Sequence, residues 1–389
     1  MPRNVLAAGV VSFFTDVSSE MIVPVLPLFL TGTLGASASV VGLIEGVAES
    51  TASLLRVFAG WISDRTGRRK PLILLGYTLS NLAKPLFALA TAWPQVLAVR
   101  FADRFGKGIR GAPRDALIAD SVDPSIRGRA FGFHRSMDTA GAALGPLLAA
   151  AVLALSANNP RAVFWLAALP GLAAILTAWL LLRDRPAPPR DAAAPRLGFR
   201  GLGRPFALFT AVSTLFAVGN SSDAFLILRA QDVGMAAWLI PIAYFAFNAL
   251  FAALATPAGI LSDRVGRRVL LVVGYALFAA VYLGFALAGD ALAVGGLFLL
   301  YAVYYALTEG IARALITDLV PASLRATALG THATATGLAL LPASTVAGLL
   351  WTAVAPWAPF AYGAATAALA ALLLVFLPLR VDLERQGVA

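Results

Sequence analysis

Apolar segments of about 20 residues recur along almost the whole chain and are separated by short polar connections. Their predicted spans are 5–32, 37–61, 71–91, 94–120, 128–154, 162–183, 204–229, 235–258, 269–288, 291–317, 325–352 and 358–379. Hydrophobic residues make up 59% of the 389-residue chain and charged residues only 13%, which is too apolar for a surface in water. Because the segments are continuous and do not alternate, they exclude a membrane β-barrel. The sequence predicts an all-α membrane protein with twelve transmembrane helices.

The basic residues are concentrated at alternate connections between these segments. They cluster at 65–70, 127–129, 183–204 and 264–268, whereas the connections at 31–39, 91–95 and 354–359 carry almost none. By the positive-inside rule, this asymmetry predicts that both termini are cytoplasmic and that the chain lies in the bacterial inner membrane. It also attributes the net charge of +10 to membrane topology and not to nucleic-acid binding.

Several segments recur at a spacing close to half the chain. The stretch 60-GWISDRTGRR-69 matches 259-GILSDRVGRR-268, 116-ALIAD-120 matches 314-ALITD-318, and 125-SIRGRAFGFH-134 matches 323-SLRATALGTH-332. Six predicted helices per copy give both copies the same orientation, as in parallel transporter repeats. We expect an N-terminal six-helix bundle at 1–183, a cytoplasmic linker at 184–203 and a C-terminal six-helix bundle at 204–389.

The first of these repeats, Gly-x-x-x-Asp-Arg-x-Gly-Arg-Arg, resembles the loop signature of the major facilitator superfamily. Its glycines permit close helix approach and a tight turn, and its aspartates could meet a helix N-terminus or an arginine across the gap between the halves. The resemblance implies two pseudo-symmetric six-helix bundles that work by alternating access, with this loop as a conformational latch. The latch residues are Gly60, Asp64, Arg65, Gly67 and Arg68, and their repeats Gly259, Asp263, Arg264, Gly266 and Arg267. A basic loop also fixes the orientation of the chain in the membrane, and we expect these residues to have both roles and not to be substrate ligands.

The fourth segment carries an unusual density of charge for a helix in lipid. It places Arg100, Asp103, Arg104, Lys107 and Arg110 on two adjacent helical faces, so most of these charges should point into the protein. The spacing Arg104-x-x-x-Gly108 resembles the fourth-helix signature associated with proton-coupled members of the family. We expect Asp103, Lys107 and Arg110 to line the substrate cavity.

Acidic partners for these cations are available on neighbouring segments. They are Asp16 and Glu20 on the first, Glu45 and Glu49 on the second, and Asp138 on the fifth. A buried carboxylate beside a guanidinium can bind a proton in one conformation and release it in another. We predict that Glu20 carries the coupled proton and that Arg104 sets its proton affinity, with Asp16 as the alternative. Glu45, Glu49 and Asp138 could line the cavity or form a static salt-bridge lattice.

The fifth segment reads 141-GAALGPLLAA-150, and its Gly141, Gly145 and Pro146 resemble a motif of the antiporter, drug-efflux branch of the family. It departs from that motif because Ala149 and Ala150 replace the final glycine pair. Small residues at these positions keep a close, kinked helix contact possible. The equivalent stretch of the eleventh segment, 337-GLALLPAST-345, lacks Gly-Pro.

The second half offers a less charged set of candidate cavity residues. They are Asn220, Asp223, Asn248, Tyr301, Tyr305 and Glu309. The last three share one helical face and could present aromatic surface and one acid to a ligand, or Glu309 could pair with Arg313. His134 and His332 occupy equivalent repeat positions, and without clustered carboxylates or thiols they predict packing or hydrogen bonding instead of a metal site.

These features favour a secondary active transporter that exports a small organic or amphipathic compound in exchange for protons. The alternative is proton-coupled uptake of an anionic organic solute, since the first half is rich in Arg and Lys. A membrane-embedded enzyme is a weaker hypothesis because no H-E-x-x-H, G-x-S-x-G or cysteine nucleophile is present. The sequence contains no Walker motif, so it does not predict direct use of ATP. We expect no cofactor and no metal, and we expect the protein to be a monomer in the lipid bilayer.

Overall fold

The computed structural model of the protein describes residues 1–123, 126–184, 199, 201–321 and 324–378. Within these ranges the chain is helical and has no strand. The helices are α1 (Arg3–Ile22), α2 (Leu26–Leu28), α3 (Ala38–Thr66), α4 (Lys70–Ala83), α5 (Trp93–Asp120), α6 (Arg127–Leu155), α7 (Pro160–Leu181), α8 (Arg204–Gly219), α9 (Ala224–Asp232), α10 (Leu239–Val265), α11 (Arg267–Leu287), α12 (Ala291–Leu319), α13 (Arg325–Ala353) and α14 (Ala358–Phe376). A π-helical turn, Phe29–Thr33, follows α2, and a 3₁₀ turn, Lys84–Leu89, follows α4. The linker expected at 184–203 and the end of the chain from 379 lie largely outside the described residues.

Eleven stretches of the described chain are long and apolar enough to cross a membrane. Three of them join two or more elements, at Arg3–Thr33, Lys70–Leu89 and Arg204–Asp232. The 28-residue helix α5 is about 42 Å long at 1.5 Å per residue, which is sufficient to cross, but its charges keep it out of the apolar set. The prediction of an all-α membrane protein is confirmed, and the most charged predicted span is the one that hydropathy alone does not support.

The helices pack in the pattern expected of a repeat. Helix α1 packs against α6 and α7, and α5 packs against α3 and α4; in the second half α8 packs against α13 and α14, and α12 against α10 and α11. The pairs α3 with α13 and α6 with α10 connect the first half to the second. Equivalent polar contacts recur 198 residues apart: Ser12 Oγ lies 2.8 Å from His134 Nε2, and Thr210 Oγ1 lies 3.3 Å from His332 Nδ1. Both histidines therefore have hydrogen-bonding roles, as predicted from the sequence.

One end of the molecule, which we call the loop face, carries the turns at Gly67 and Gly266. Gly67 has a φ of 65° and Gly266 a φ of 101°, values that favour glycine. At the opposite face the two halves are joined by hydrogen bonds. Ser39 Oγ donates to Thr352 Oγ1 at 2.8 Å, and Thr31 Oγ1 donates to Gln231 Oε1 at 3.1 Å.

Glycines of α6 allow it to lie directly on α1. A Cβ at Gly145 would lie 2.7 Å from the Val17 carbonyl oxygen and 2.8 Å from the Cβ of Glu20. A Cβ at Gly141 would lie 3.1 Å from the Cβ of Asp16. Such distances are too short for any larger residue without movement of the helices. The antiporter-like motif thus packs against the two turns of α1 that carry the predicted coupling carboxylates.

Candidate functional site

Two cavities lie between the first and second halves, one above the other along the same helices. The smaller, the central cavity, has a volume of about 270 Å³, and the larger, the loop-face cavity, about 670 Å³. On α5 the central cavity is lined by Arg100, Arg104 and Lys107, and the loop-face cavity by Arg114 and Asp115. The order along α10 and α12 is the same, so the central cavity is the deeper of the two as seen from the loop face.

The central cavity draws charged and polar residues from both halves. Its ionisable lining residues are Glu20, Glu45, Glu49, Arg100, Arg104, Lys107 and Asp223. Asn220, Ser221, Ser222, Tyr244 and Tyr305 complete its polar surface. Among the residues expected from the sequence, Glu20, Glu45, Glu49, Lys107, Asn220, Asp223 and Tyr305 come together here with Arg104.

The charged face of α5 is neutralised by two parallel ion pairs to α3. Arg100 Nη2 lies 2.8 Å from Glu45 Oε2, and one turn later Arg104 Nη1 lies 3.2 Å from Glu49 Oε1. The spacing of four residues on both helices brings each arginine opposite its own acid. Because Arg100, Arg104 and Glu45 are buried, removal of one member would leave a buried charge without its closest partner.

Asp103 lies behind the cavity wall, between the two arginines. Its Oδ2 is 3.5 Å from Arg100 Nη1 and 3.6 Å from Arg104 Nε, and its Oδ1 accepts a 2.6 Å hydrogen bond from Ser80. Arg110 is also away from the central cavity, where its guanidinium stacks 4.6 Å from the ring centre of Tyr77. These two residues hold α5 in place against α4.

Glu20 and Lys107 differ from the rest of the first-half lining. Neither forms an ion pair within the part of the chain that the structure describes. Lys107 is exposed and lines the same cavity as Glu20. Arg104, the predicted modulator of Glu20, makes its contact with Glu49 instead. A short movement of α1 or α5 would therefore change which cation lies closest to each carboxylate.

Asp16 lies one turn from Glu20 and belongs to a different environment. Asp16 lines neither the central cavity nor the loop-face cavity, and it packs against Gly141 of α6, the helix that carries Asp138. Asp138 lies 3.7 Å from Arg135 and lines the loop-face cavity. Asp138 therefore lines the loop-face cavity and not the central cavity.

The second-half wall is formed where the seventh span is interrupted. Helix α8 ends at Gly219 and α9 begins at Ala224, so the backbone from 220 to 223 is unwound at the cavity. Interrupted membrane helices commonly form solute sites, because their free backbone groups and polar side chains face a cavity. Tyr301 donates a 2.8 Å hydrogen bond to Asp223 Oδ1, and Asn220 donates one of 3.2 Å to Tyr304 Oη.

The other residues of the second half that were predicted to line the substrate cavity do not line the central cavity. Tyr301 is buried behind Tyr305, with ring centres 5.2 Å apart. Glu309 lines the loop-face cavity and pairs with Arg313 at 2.8 Å, the alternative that the sequence left open. Asn248 lines neither cavity, and its Nδ2 is buried without a hydrogen-bond partner in the described chain.

The predicted latch contains an acid–arginine–acid arrangement in each half. In the first, Arg69 joins Asp64 at 2.5 Å to Asp120 at 3.4 Å. In the second, Arg267 joins Asp263 at 3.7 Å to Asp318 at 2.8 Å. Each aspartate of the loop signature thus meets an arginine of its own half and not one across the gap. Arg65 stacks 5.6 Å from the ring centre of Trp61.

The sequence analysis missed residues whose roles depend on tertiary packing. Asp184 Oδ1 accepts hydrogen bonds from the backbone N–H groups of Arg69 and Lys70, and so caps the first turn of α4 from the end of the sixth span. Tyr244 carries no sequence signal that distinguishes it from other aromatic residues. Arg100 could have been assigned to the cavity, because it lies four residues before Arg104 on the same face.

No group of three or more histidine, cysteine, aspartate or glutamate side chains in the described ranges is arranged to hold a metal ion. The profile of the Major Facilitator Superfamily matches residues 8–344 and, in a second match, 226–388. The chain belongs to the major facilitator superfamily. It is a membrane transporter, and members of this family bind small-molecule solutes and are not enzymes in general.

One relative matches nearly the whole transporter, and two others match part of it. It is 38% identical over 383 residues to an uncharacterised transporter of the major facilitator type from Methanocaldococcus jannaschii, covering 97% of this chain and 95% of the relative. A probable 4-methylmuconolactone transporter of Cupriavidus pinatubonensis is 29% identical, over 63% of this chain and 59% of its own. The multidrug resistance protein MdtH of Edwardsiella ictaluri is 32% identical over 41% of this chain and 39% of its own.

A solved structure supports the same fold at low sequence identity. The crystal structure of the nucleoside transporter NupG superimposes with a TM-score of 0.79 at 14% identity, covering 96% of this chain and 98% of that one. At this identity the likeness concerns the fold alone.

Proposed function

We propose that this transporter exchanges protons for a small organic compound by alternating access and exports that compound from the cell. The observation that carries the proposal is the central cavity, which is lined from both halves and lies deeper than the loop-face cavity. It contains the carboxylate of Glu20, which forms no ion pair with any residue that the structure describes. The antiporter-like Gly145, packed on Glu20, and the partial similarity to MdtH support export.

The same account gives the transporter twelve spans in two six-helix halves, with α5 as the span that hydropathy does not identify. The halves would be residues 1–183 and 204–389, joined by a linker at 184–203. We propose that the loop face and both termini are cytoplasmic in an inner-membrane protein that acts as a monomer, since the basic clusters lie at the loop-face end. In this orientation the described state is inward-facing: hydrogen bonds join the halves at the outer face, and the larger cavity lies at the cytoplasmic face.

The movement between states would use the two latch arrangements. In the inward-facing state the loop aspartates bind arginines of their own halves. Closure of the loop-face cavity would bring α5 and α6 towards α10 and α12, whose charged side chains now face each other across it. The latch therefore belongs to the conformational step and not to solute binding.

Uptake of an anionic organic solute remains a second candidate. Lys107 is exposed in the central cavity, and one relative is a probable 4-methylmuconolactone transporter. Transport in everted membrane vesicles separates the two directions, because a panel of organic amines, neutral compounds and organic acids can be followed with and without an imposed pH gradient. Proton-dependent accumulation in everted vesicles supports export. Accumulation only in right-side-out vesicles would support uptake and contradict the proposed direction.

A further inference from the structure

We propose that Asp223 binds the ammonium group of a monocationic organic solute in the central cavity, with the Tyr305 ring against that group. This inference rests on the proposed function, because it names the class of solute that the same cavity takes. Its premise is the charge that remains after the protein has paired its own side chains.

The ionisable lining of the central cavity is not balanced. It consists of four acids and three bases, a formal difference of one negative charge. Two acids and two bases are already joined as pairs, Arg100 with Glu45 and Arg104 with Glu49. Glu20, Lys107 and Asp223 remain. Glu20 and Lys107 carry opposite formal charges, so the sum over the lining leaves one negative charge, which we assign to Asp223.

The position of Asp223 suits recognition of a cation. It lies at the interruption between α8 and α9, and no cation of the described residues forms an ion pair with it. Its carboxylate accepts a 2.8 Å hydrogen bond from Tyr301, whose buried ring lies behind the cavity wall, and this bond fixes the orientation of the carboxylate. A partly buried carboxylate held in this way is stabilised when a solute brings the missing positive charge.

Aromatic rings surround the same point. Tyr305 and Tyr244 line the cavity, and Phe247 supports both from behind, with ring centres 5.4 Å and 5.6 Å away. An ammonium group is attracted both to a carboxylate and to the face of an aromatic ring, whereas a carboxylate solute is repelled by both. The volume of about 270 Å³ is near the lower end of the range for ligand pockets and favours a small solute.

Three probes with one carbon skeleton test the charge preference: phenethylammonium, 2-phenylethanol and phenylacetate. Their binding to the purified, detergent-solubilised transporter is measured by calorimetry. We expect phenethylammonium to bind about tenfold or more tightly than the alcohol, since a hydrogen bond between charged groups is stronger than one between neutral groups. Phenylacetate should bind least tightly.

Variants assign the preference to named side chains. Asp223→Asn should weaken phenethylammonium binding about tenfold and leave the alcohol within about threefold. Asp232→Asn, at the other end of α9 and outside the cavity, is the matched control and should bind as the wild type does. Tyr305→Leu should weaken binding of the cation, and Tyr305→Phe, which keeps the ring, should restore most of it. The thermal stability and monodispersity of each variant are measured to exclude misfolding. The order of the wild-type affinities for the three probes is a separate test that needs no variant.

Tighter binding of phenylacetate, equal binding of the three probes or no measurable binding of phenethylammonium by the wild type would each overturn the assignment. An unchanged affinity for phenethylammonium in a well-folded Asp223→Asn variant would do so too. Tighter or equal binding of phenylacetate would leave the proposed transport function standing with a different solute, because that function is judged by gradient-driven flux.

Discussion

The guanidinium of Arg104 lies 3.2 Å from the carboxylate of Glu49, and this contact leaves Glu20 in the same cavity without an ion-pair partner among the described residues. An arginine that pairs with one acid in this state and with another acid in a second state would couple helix movement to proton binding, because each carboxylate binds a proton more weakly while the arginine is beside it.

Removal of Glu45 should destabilise the transporter. Glu45→Gln leaves buried Arg100 without its closest carboxylate, and the expected loss is about 3–5 kcal/mol in the free energy of unfolding. Glu309→Gln is the control, because its partner Arg313 is largely exposed and such pairs contribute about 0–1 kcal/mol. Reversible unfolding in mixed micelles measures both. Equal stability of the two variants would show that the ion pairs between α3 and α5 do not hold the first half together.

The close contact between α1 and α6 should depend on Gly145. Gly145→Ala adds a Cβ that meets the Val17 carbonyl and Glu20, and the expected cost is about 1–3 kcal/mol together with impaired transport. Gly132→Ala on the same helix meets nothing within 4 Å and should be neutral or slightly stabilising. If the two alanine variants have the same melting temperature and the same transport rate, the motif has no packing role.

The sequence predicted the spans, the internal repeat and the charged fourth segment, because these depend on local composition and spacing. It could not predict which acid each arginine meets, since that depends on the rotation of α5 about its own axis against α3. Arg104 was expected beside Glu20 but contacts Glu49. Likewise, the aspartate of the latch was expected to meet a helix N-terminus or an arginine across the gap, whereas Asp64 binds Arg69 of its own loop. The spacing of residues in the sequence predicts the helical face on which a side chain lies. Which residue it contacts on that face depends on tertiary packing.

Loss of the latch should slow turnover more than it weakens solute binding. Asp64→Asn removes one acid from Arg69, which then retains only Asp120, and we expect a fall in transport rate of about tenfold with little change in affinity. Asp263→Asn, the repeat position, is a useful comparison, because its distance to Arg267 is longer. Affinity and rate are measured on the same purified protein. A loss of affinity in proportion to the loss of rate would place the loop in the binding site.

The orientation of the chain can be tested with introduced cysteines, since the sequence contains none. Ser37→Cys should react with a membrane-impermeant thiol reagent added to intact cells, and Ala192→Cys, in the expected linker, should react only after the cells are opened. The reverse pattern would invert the proposed topology.

A cross-link at the outer face should trap the inward-facing state. In the double variant Ser39→Cys with Thr352→Cys, the two side chains replace hydroxyls that lie 2.8 Å apart. Oxidation should stop transport and reduction should restore it, while each single variant stays active under both conditions. Unaltered transport by the fully oxidised double variant would contradict movement of α3 relative to α13.

The most direct test of the account is the proton-driven flux of Glu20→Gln in proteoliposomes. The amide does not bind and release a proton as the carboxylate does. We therefore predict that an imposed pH gradient no longer drives transport, whereas solute binding or exchange without a gradient persists. Arg104→Ala should keep gradient-driven transport but shift its pH optimum, and Asp16→Asn serves as the neighbouring carboxylate for comparison. Gradient-driven transport by Glu20→Gln at the wild-type rate and with the wild-type pH profile would contradict the account and transfer the coupling role to Asp16.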